Sequence, residues 1–216
     1  MEIKNIVATL PVNKTKKPTI RKLNAIKKIV VHCTDDTLKP LELARYDVGP
    51  NHISSTGCPT CTYHYYINQA GEVYQLVDDT TETWHAGGHN SNSVAICLSY
   101  KTDPAVENKK KDEPDPANTP SVQMRVALQD LLVVLCKKLA VSPIDIFGHR
   151  ELFGTGFILL KGHKALKKTC PGMTVDLELL RYGVAAELQM ELKVKVDGEW
   201  GPKSEKAFRD SLKKLV

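Results

Sequence analysis

The sequence predicts an α/β (α+β) fold, in which a mixed central β-sheet is flanked by helices and followed by a small C-terminal helical module. β-Branched apolar runs at 26–33 and 93–100 are typical of buried strands. A hairpin-like segment at 63–77 lies between them, and an amphipathic helical pattern follows at 119–139. This order of elements indicates a mixed sheet with helices packed on it.

Length and composition narrow the class of protein. The 216 residues allow one sizeable domain with a small appendage. Hydrophobic residues make up 42% and charged residues 25%, which is typical of a folded globular protein and excludes a collagen-like or wholly disordered chain. No apolar run approaches the ~20 residues that span a bilayer, so no membrane span is expected. The net charge of +5 suits polyanions, but no basic helical stripe with interleaved aromatics favours nucleic acid.

The N-terminal segment 1–24 is basic and contains Pro11 and Pro18, and we expect it to form an arm on the domain surface. It has only a short apolar patch, with Glu2 before it, and lacks a secretory signal pattern. We therefore expect synthesis in the cytoplasm without signal-dependent export. The six cysteines are too few for a disulfide scaffold.

The first strand, at 26–33, carries His32 near its C-terminal end. Segment 34–62 is rich in proline and glycine, so we expect mostly loop there, with one helix near 39–46. Segments 63–67 and 72–77 then form a hairpin whose turn contains Gly71.

The second half begins with a charged, proline-rich loop at 101–118. Thr119 as N-cap and Pro120 at the first helical position predict a helix that runs through about Leu139. A short strand at 143–149 delivers His149, and the segment after 179 reads as helices broken near 196–204.

Histidines at strand ends and a cysteine before Pro-Gly suggest a metal site. A catalytic zinc ion takes three protein ligands and keeps a fourth position for water. His32, His149 and Cys170 are plausible ligands, but seven histidines and six cysteines compete for three places. Each of these residues, taken singly, also fits an ordinary buried structural role, so spacing alone does not choose the ligands.

An ordered set of motifs resembles the zinc-dependent N-acetylmuramoyl-L-alanine amidases of the type-2 family, which includes phage lysozymes of the T7 type and the peptidoglycan recognition proteins. The motifs are IVVHCTDD, TYHYYINQAGEVYQL, WHAGGHNSNSVAICL, NTPSVQMRVALQDLL, FGHRE and KKTCPG, within residues 24–182. The resemblance implies one Zn²⁺ held by His32, His149 and Cys170. It implies hydrolysis of the amide bond between the lactyl group of muramic acid and L-alanine in peptidoglycan.

The same resemblance implies roles for five further residues. Tyr63 and Lys168 match catalytic positions, where a phenol or an ammonium stabilises the developing oxyanion or assists proton transfer. His85, Trp84 and Asn92 match positions that bind substrate or support the wall of the site. Without the resemblance, Tyr63 reads as a strand aromatic and Lys168 as a surface lysine.

Two features depart from the family pattern. An insertion at 152–165 separates His149 from Cys170, so the position of Lys168 depends on its fold, and His163 within it competes as a ligand. The CxxC pair Cys58 and Cys61 has no second CxxC and no thioredoxin-like surroundings, which favours a local disulfide or two free thiols.

Segment 179–216 resembles a peptidoglycan-binding type-1 module, with a structural helical cap as the alternative. The predicted division is therefore an arm at 1–24, an amidase domain at 25–178 and a helical module at 179–216. A unit of ~40 residues is marginal alone, so we expect it to dock on the amidase domain.

The resulting functional hypothesis is a bacteriolytic, antimicrobial hydrolase of the phage or prophage endolysin type, whose partner is bacterial peptidoglycan. The alternatives are a non-catalytic peptidoglycan-binding protein and a cytoplasmic muropeptide-recycling amidase. We expect a monomer that stays in the host bacterial cytoplasm until lysis, reaches the wall or periplasm through a holin-type lesion, and binds no nucleic acid.

Overall fold

The computed structural model describes residues 1–50, 52–102, 118–152 and 169–214. Within them, six strands form one sheet in the order β1-β4-β3-β5-β2-β6. The strands are β1 (Ile3–Asn5), β2 (Lys28–Cys33), β3 (Tyr65–Ile67), β4 (Val73–Gln75), β5 (Ser93–Leu98) and β6 (Ile146–Gly148). The α-helices are α1 (Pro40–Val48), α2 (Val122–Leu139), α3 (Leu177–Glu191) and α4 (Pro202–Lys213).

The sheet is mixed, which confirms the predicted fold class. Strands β3, β5, β2 and β6 are parallel to one another, whereas β4 runs antiparallel to β3 in the predicted hairpin. None of the helices in the described part of the chain is long and apolar enough to cross a membrane.

The centre of the sheet is buried on both faces. All six residues of β5 are buried, and so are the four central residues of β2. Parallel strands covered on both faces need continuous apolar sequence, which is why these two segments read clearly as strands. Ile29 and Val31 face the main core under α2, so Val30 and His32 point to the opposite face, since side chains alternate along a strand.

Helix α2 ends at Leu139 as predicted, but its predicted cap is wrong. The N-cap is Ser121, whose hydroxyl accepts from the Met124 amide at 3.0 Å and donates to the Gln69 carbonyl at 2.5 Å. Thr119 and Pro120 lie before the helix. Ser121 therefore caps α2 and also ties it to the turn of the β3–β4 hairpin.

The N-terminal arm is part of the sheet. Residues Ile3–Asn5 pair in parallel with β4 and form an edge strand that the sequence did not reveal. A three-residue strand has no measurable periodicity, so tertiary contact decides its conformation. Farther along the arm, the Arg21 guanidinium donates to the carbonyls of Asp79 and Asn90.

The two C-terminal helices share the main core with the sheet. Val184 and Leu188 of α3 and Phe208 of α4 belong to the same buried cluster as the α2 leucines. Arg209 of α4 donates to the Ala140 carbonyl at 2.6 Å, just after α2. The predicted module boundary before residue 179 falls inside α3, which begins at Leu177.

Candidate active site

Two histidines meet where adjacent parallel strands end. His32 is the fifth residue of β2, and His149 directly follows β6. The two strands pair with Val31 opposite Gly148, which places the next residue of each strand side by side. The imidazole centroids lie 4.5 Å apart.

Cys170 joins these histidines from a loop that Arg150 holds in place. The Arg150 amide donates to the Cys170 carbonyl at 2.8 Å. Its guanidinium donates to the carbonyls of Thr169, Gly172 and Val175 at 3.2, 2.6 and 2.8 Å. The residue after one predicted ligand therefore fixes the loop that carries another.

The glycine two residues after Cys170 is also required by the packing. The Tyr100 hydroxyl donates to the Pro171 carbonyl. Gly172 has a φ of +101°, and a Cβ there would collide with the Tyr100 hydroxyl. Glycine is the residue that tolerates both conditions.

His32, His149 and Cys170 form a compact donor set. Each offers one ligand atom, and the three atoms lie within 4.8 Å of one another. His32 is 1% exposed, and its Nδ1 lies 3.7 Å from the Cys170 sulfur. Two imidazole nitrogens and a thiolate are a donor set that zinc accepts in catalytic sites.

The environment of Cys170 favours the thiolate, the form that binds metals. A side-chain hydrogen bond from Cys33 and the nearby histidines lower the pKa of Cys170 well below its ordinary value. The Cys33 backbone amide also points to the Cys170 sulfur at 3.4 Å.

His85 lies beneath this set rather than open to solvent. Its Nδ1 is 3.0 Å from His32 Nε2, and its Nε2 is 3.0 Å from the Ser93 hydroxyl. Burial lowers the pKa of His85 well below its ordinary value, so the ring is neutral at pH 7. Both ring nitrogens are engaged within the protein, and the predicted contact with substrate stays a prediction that this geometry does not favour.

Tyr63, the predicted catalytic phenol, stands beside His32. Its ring centroid is 5.2 Å from that of His32, and the side chain is half-buried. Burial raises the pKa of the Tyr63 phenol well above its ordinary value, so the hydroxyl keeps its proton. The phenol is therefore a hydrogen-bond donor at neutral pH.

The other predicted site residues have different surroundings. Trp84 is half-buried, and the Lys16 ammonium from the N-terminal arm lies 4.7 Å from its ring centroid. Asn92 precedes β5 and its backbone carbonyl accepts from the Lys27 amide at 2.8 Å. Lys168 and His163 lie outside the described residues, as does nearly all of the 152–165 insertion.

Sequence reasoning missed three supporting residues, which are Arg150, Ser93 and Asn90. The Asn90 side-chain oxygen accepts from the amides of His85 and Ala86 at 3.1 and 2.7 Å and so shapes the loop that carries His85. Ser93 carried a usable signal, because a serine that opens an otherwise apolar buried strand needs a polar partner.

The CxxC pair belongs to a separate buried network. Both thiols are free, and Cys61 donates to Asp47 at 3.2 Å. The Asp47 carboxylate also accepts from the Thr62 amide and hydroxyl at 2.8 Å, and His52 lies 3.2 Å from it. This network joins the end of α1 to the segment before β3.

Comparison with known proteins agrees with this geometry. A model of the N-acetylmuramoyl-L-alanine amidase family matches residues 22–173, although no curated protein sequence matches the chain. Among solved structures, the amidase LysC from Clostridium intestinale URNW is 18% identical with a TM-score of 0.55, covering 90% of this chain and 99% of that one.

Two further structures have the same fold. The Ph2119 endolysin from Thermus scotoductus MAT2119 bacteriophage Ph2119 is 18% identical, with a TM-score of 0.56 and coverage of 85% of this chain and 99% of that one. Peptidoglycan recognition protein-LE is 14% identical, with a TM-score of 0.58 and coverage of 82% and 91%. Since the family match spans five of the six strands, both histidines and the cysteine loop, this chain belongs to the N-acetylmuramoyl-L-alanine amidase family and is an amidase.

Proposed function

We propose that this amidase is zinc-dependent and hydrolyses the bond between the lactyl group of muramic acid and L-alanine in bacterial peptidoglycan, as an endolysin does. The observation that carries the proposal is the meeting of His32, His149 and Cys170 within 4.8 Å, beside Tyr63. Their donor atoms fit a single Zn²⁺ with three protein ligands.

The chemistry of the donor set supports zinc in particular. A half-buried thiolate with two imidazoles suits a borderline-soft ion better than it suits Mg²⁺ or Ca²⁺, which prefer oxygen ligands. When bound, zinc lowers the pKa of its water towards ~7 and polarises the scissile carbonyl.

The chain's own residues supply the remaining stabilisation. Tyr63 keeps its phenolic proton and lies next to His32, so it is placed to donate to the carbonyl oxygen as negative charge develops there. Lys168 would add a cation for the same oxyanion or for the leaving amine. Trp84 and Asn92 would line the substrate side of the site.

The substrate class is supported by the family and by one relative. The structure of peptidoglycan recognition protein-LE is of a complex with tracheal cytotoxin, a monomeric diaminopimelic acid-type peptidoglycan. A fold shared with that protein and with phage endolysins is suited to a stem peptide joined to muramic acid. We propose that the chain acts as a monomer on the wall after host lysis, with access through a holin-type lesion.

Peptidoglycan digestion tests the proposal directly. Purified protein is incubated with peptidoglycan sacculi, with and without a chelator, and soluble products are identified by mass spectrometry. We expect peptides with a free N-terminal L-alanine, lost on chelation and restored by added zinc. Release that is indifferent to chelation, or products cut at another bond, would overturn the proposal.

Cysteine variants test the ligand assignment. Cys170→Ala is expected to lose stoichiometric zinc and at least a hundredfold in activity, because the thiolate is the ligand. Cys136→Ala, which removes a buried thiol from α2 in the main core, is the matched control and should keep both. Full zinc content in Cys170→Ala would refute the assignment.

A further inference from the structure

We propose that Ser93 and His85 are positioning residues that set the tautomer of His32, and so determine which of its nitrogens is available to a metal ion. The proposal rests on the proposed zinc site. It concerns only residues of this chain, and three hydrogen bonds in series carry it.

The first of the three hydrogen bonds joins Ser93 to the backbone carbonyl of His89, which can only accept. The Ser93 hydroxyl is buried, and its oxygen lies 2.6 Å from the backbone carbonyl of His89. A carbonyl has no proton to give, so the hydroxyl must donate to it at this distance. With its single proton used, the Ser93 oxygen can only accept from its other partner, which is His85 Nε2 at 3.0 Å.

The second link is His85. Since Ser93 accepts, His85 carries its proton on Nε2, and a neutral imidazole then has a lone pair on Nδ1. That nitrogen lies 3.0 Å from His32 Nε2, and both rings are buried, since His32 is 1% and His85 is 8% exposed.

The third link is His32. Because His85 Nδ1 accepts, His32 carries its proton on Nε2, and its Nδ1 bears the lone pair. His32 Nδ1 is the nitrogen that lies 3.7 Å from the Cys170 sulfur, within the donor set. The carbonyl of His89 therefore sets the proton position of a residue three hydrogen bonds away.

The opposite arrangement would harm metal binding. If His85 carried its proton on Nδ1, that N–H would point to His32 Nε2 and the His32 proton would move to Nδ1. An N–H directed into the donor set has no lone pair for a metal ion. Outer partners that orient a ligating histidine are typically worth ~10–100-fold in metal affinity.

The decisive measurements are the tautomer of His32 in the zinc-loaded protein and the affinity of the protein for zinc. Long-range ¹⁵N–¹H NMR correlations separate a protonated Nε2 from a protonated Nδ1. In the unsubstituted, zinc-loaded protein we expect the His32 proton on Nε2. In Ser93→Ala, where His85 loses its acceptor, we expect zinc affinity, measured against a competing chelator, to fall ~10–100-fold.

A substitution at His85 provides a second test that does not depend on the folding of Ser93→Ala. The amide of His85→Gln can accept from His32 and donate to Ser93, whereas His85→Leu can do neither. We expect the glutamine variant to bind zinc within about fivefold of the unsubstituted protein and the leucine variant to bind at least tenfold more weakly. Ser99→Ala, a buried serine just beyond the other end of β5, is the control and should change neither tautomer nor affinity.

Three results would overturn the proposal. The first is a His32 proton on Nδ1 in the zinc-loaded protein, the second is an unchanged zinc affinity in Ser93→Ala, and the third is equal zinc affinity in His85→Gln and His85→Leu. A protein that shows the expected tautomer and zinc binding but cleaves no peptidoglycan would refute the proposed function alone, because both readouts here are independent of catalysis.

Discussion

At the scale of single residues, two buried histidines with neutral rings lie behind the donor set, with His85 against His32 and His64 beyond His85. His64, next to Tyr63 in sequence, is fully buried, and its Nδ1 accepts from the Ala95 amide at 3.1 Å while its Nε2 donates to the Thr81 carbonyl at 2.9 Å. Burial, assisted by the nearby Arg21 guanidinium, lowers the pKa of His64 to about 4. His64 therefore braces the sheet rather than binding a metal ion.

Because the pKa of His64 is lower in the folded protein than in the unfolded chain, we expect acid to reduce the free energy of unfolding. Between about pH 6.5 and 4 the unfolded chain protonates His64 but the folded protein does not, so the free energy of unfolding falls as the pH is lowered through this window. At about 1.4 kcal/mol per unit of pKa, the loss attributable to His64 is about 3 kcal/mol.

Urea unfolding at a series of pH values tests this prediction. In His64→Gln the amide can keep both hydrogen bonds without titrating, so its loss of stability between pH 6.5 and 4 should be smaller than that of the unsubstituted protein by about 3 kcal/mol. His85 would still contribute a slope in the same direction, because burial lowers its pKa too. Identical pH dependence in the two proteins would contradict the assignment.

At the scale of elements, the site depends on a junction between β6 and the cysteine loop. Arg150 donates through its amide and both terminal guanidinium nitrogens to four carbonyls of residues 169–175. The planar guanidinium makes three of these bonds through two separate nitrogens, whereas the single nitrogen of a lysine ammonium cannot reproduce this geometry. Glu151, the next residue, accepts from the Gly148 amide and pairs with Arg181 of α3, which anchors the same junction to the C-terminal helices.

Replacing the Arg150 guanidinium by a lysine ammonium should leave the loop that carries Cys170 less firmly held. We expect Arg150→Lys to weaken zinc binding by ~10–100-fold, as loss of an orienting partner generally does. The measurement is competition with a chelator of known affinity. Arg181→Lys disturbs the neighbouring ion pair without touching the cysteine loop and should change zinc affinity less than threefold. An equal loss of zinc affinity in the two variants would show that the contacts from Arg150 to residues 169–175 do not orient Cys170.

At the scale of the whole molecule, one core joins the sheet, α2 and both C-terminal helices. Phe208 of α4 is 1% exposed and lies in the same cluster as the central strands. Trp200 packs against it at 5.6 Å between ring centroids and donates to Glu205, which also accepts from Ser142 beyond α2. These contacts favour a C-terminal segment that stabilises the amidase fold, whether or not it also binds the wall.

Phe208→Ala distinguishes a shared core from an independent module. Truncating a buried phenylalanine costs about 3–5 kcal/mol, and in a shared core this loss should lower the stability of the site as well. The chain has two tryptophans, Trp84 near the site and Trp200 in the C-terminal segment, so variants that keep one of them report each region by fluorescence in urea. We expect both reporters to shift together; a shift confined to Trp200 would indicate a separately folding module.

Much of the fold was predictable because its central elements have strong local patterns. Segments 26–33 and 93–100 read as strands because they are buried on both faces, and the turn at Gly71 identified the hairpin. The start of α2 was predicted two residues early, because Thr119-Pro120 is a good cap sequence and the choice of Ser121 depends on its bond to Gln69 across the structure.

In the candidate site, too, some residues could be predicted from the sequence and others could not. His32, His149, Cys170 and Tyr63 follow from motifs, because the chemistry of a ligand or a donor demands a particular residue type. The supporting bonds of Arg150, Ser93 and Asn90 did not follow, since a serine or an arginine has many possible partners and only packing selects one.

By itself, the sequence determined the mixed sheet, because apolar periodicity is a local property of the chain, and its ordered motifs indicated the family and the predicted donor residues. Only the tertiary structure decided that the donors lie within 4.8 Å of one another, that His85 supports His32, and that the arm and the C-terminal helices share in one fold. These are contacts between residues far apart in sequence, and they exist only once the sheet has brought its strand ends together.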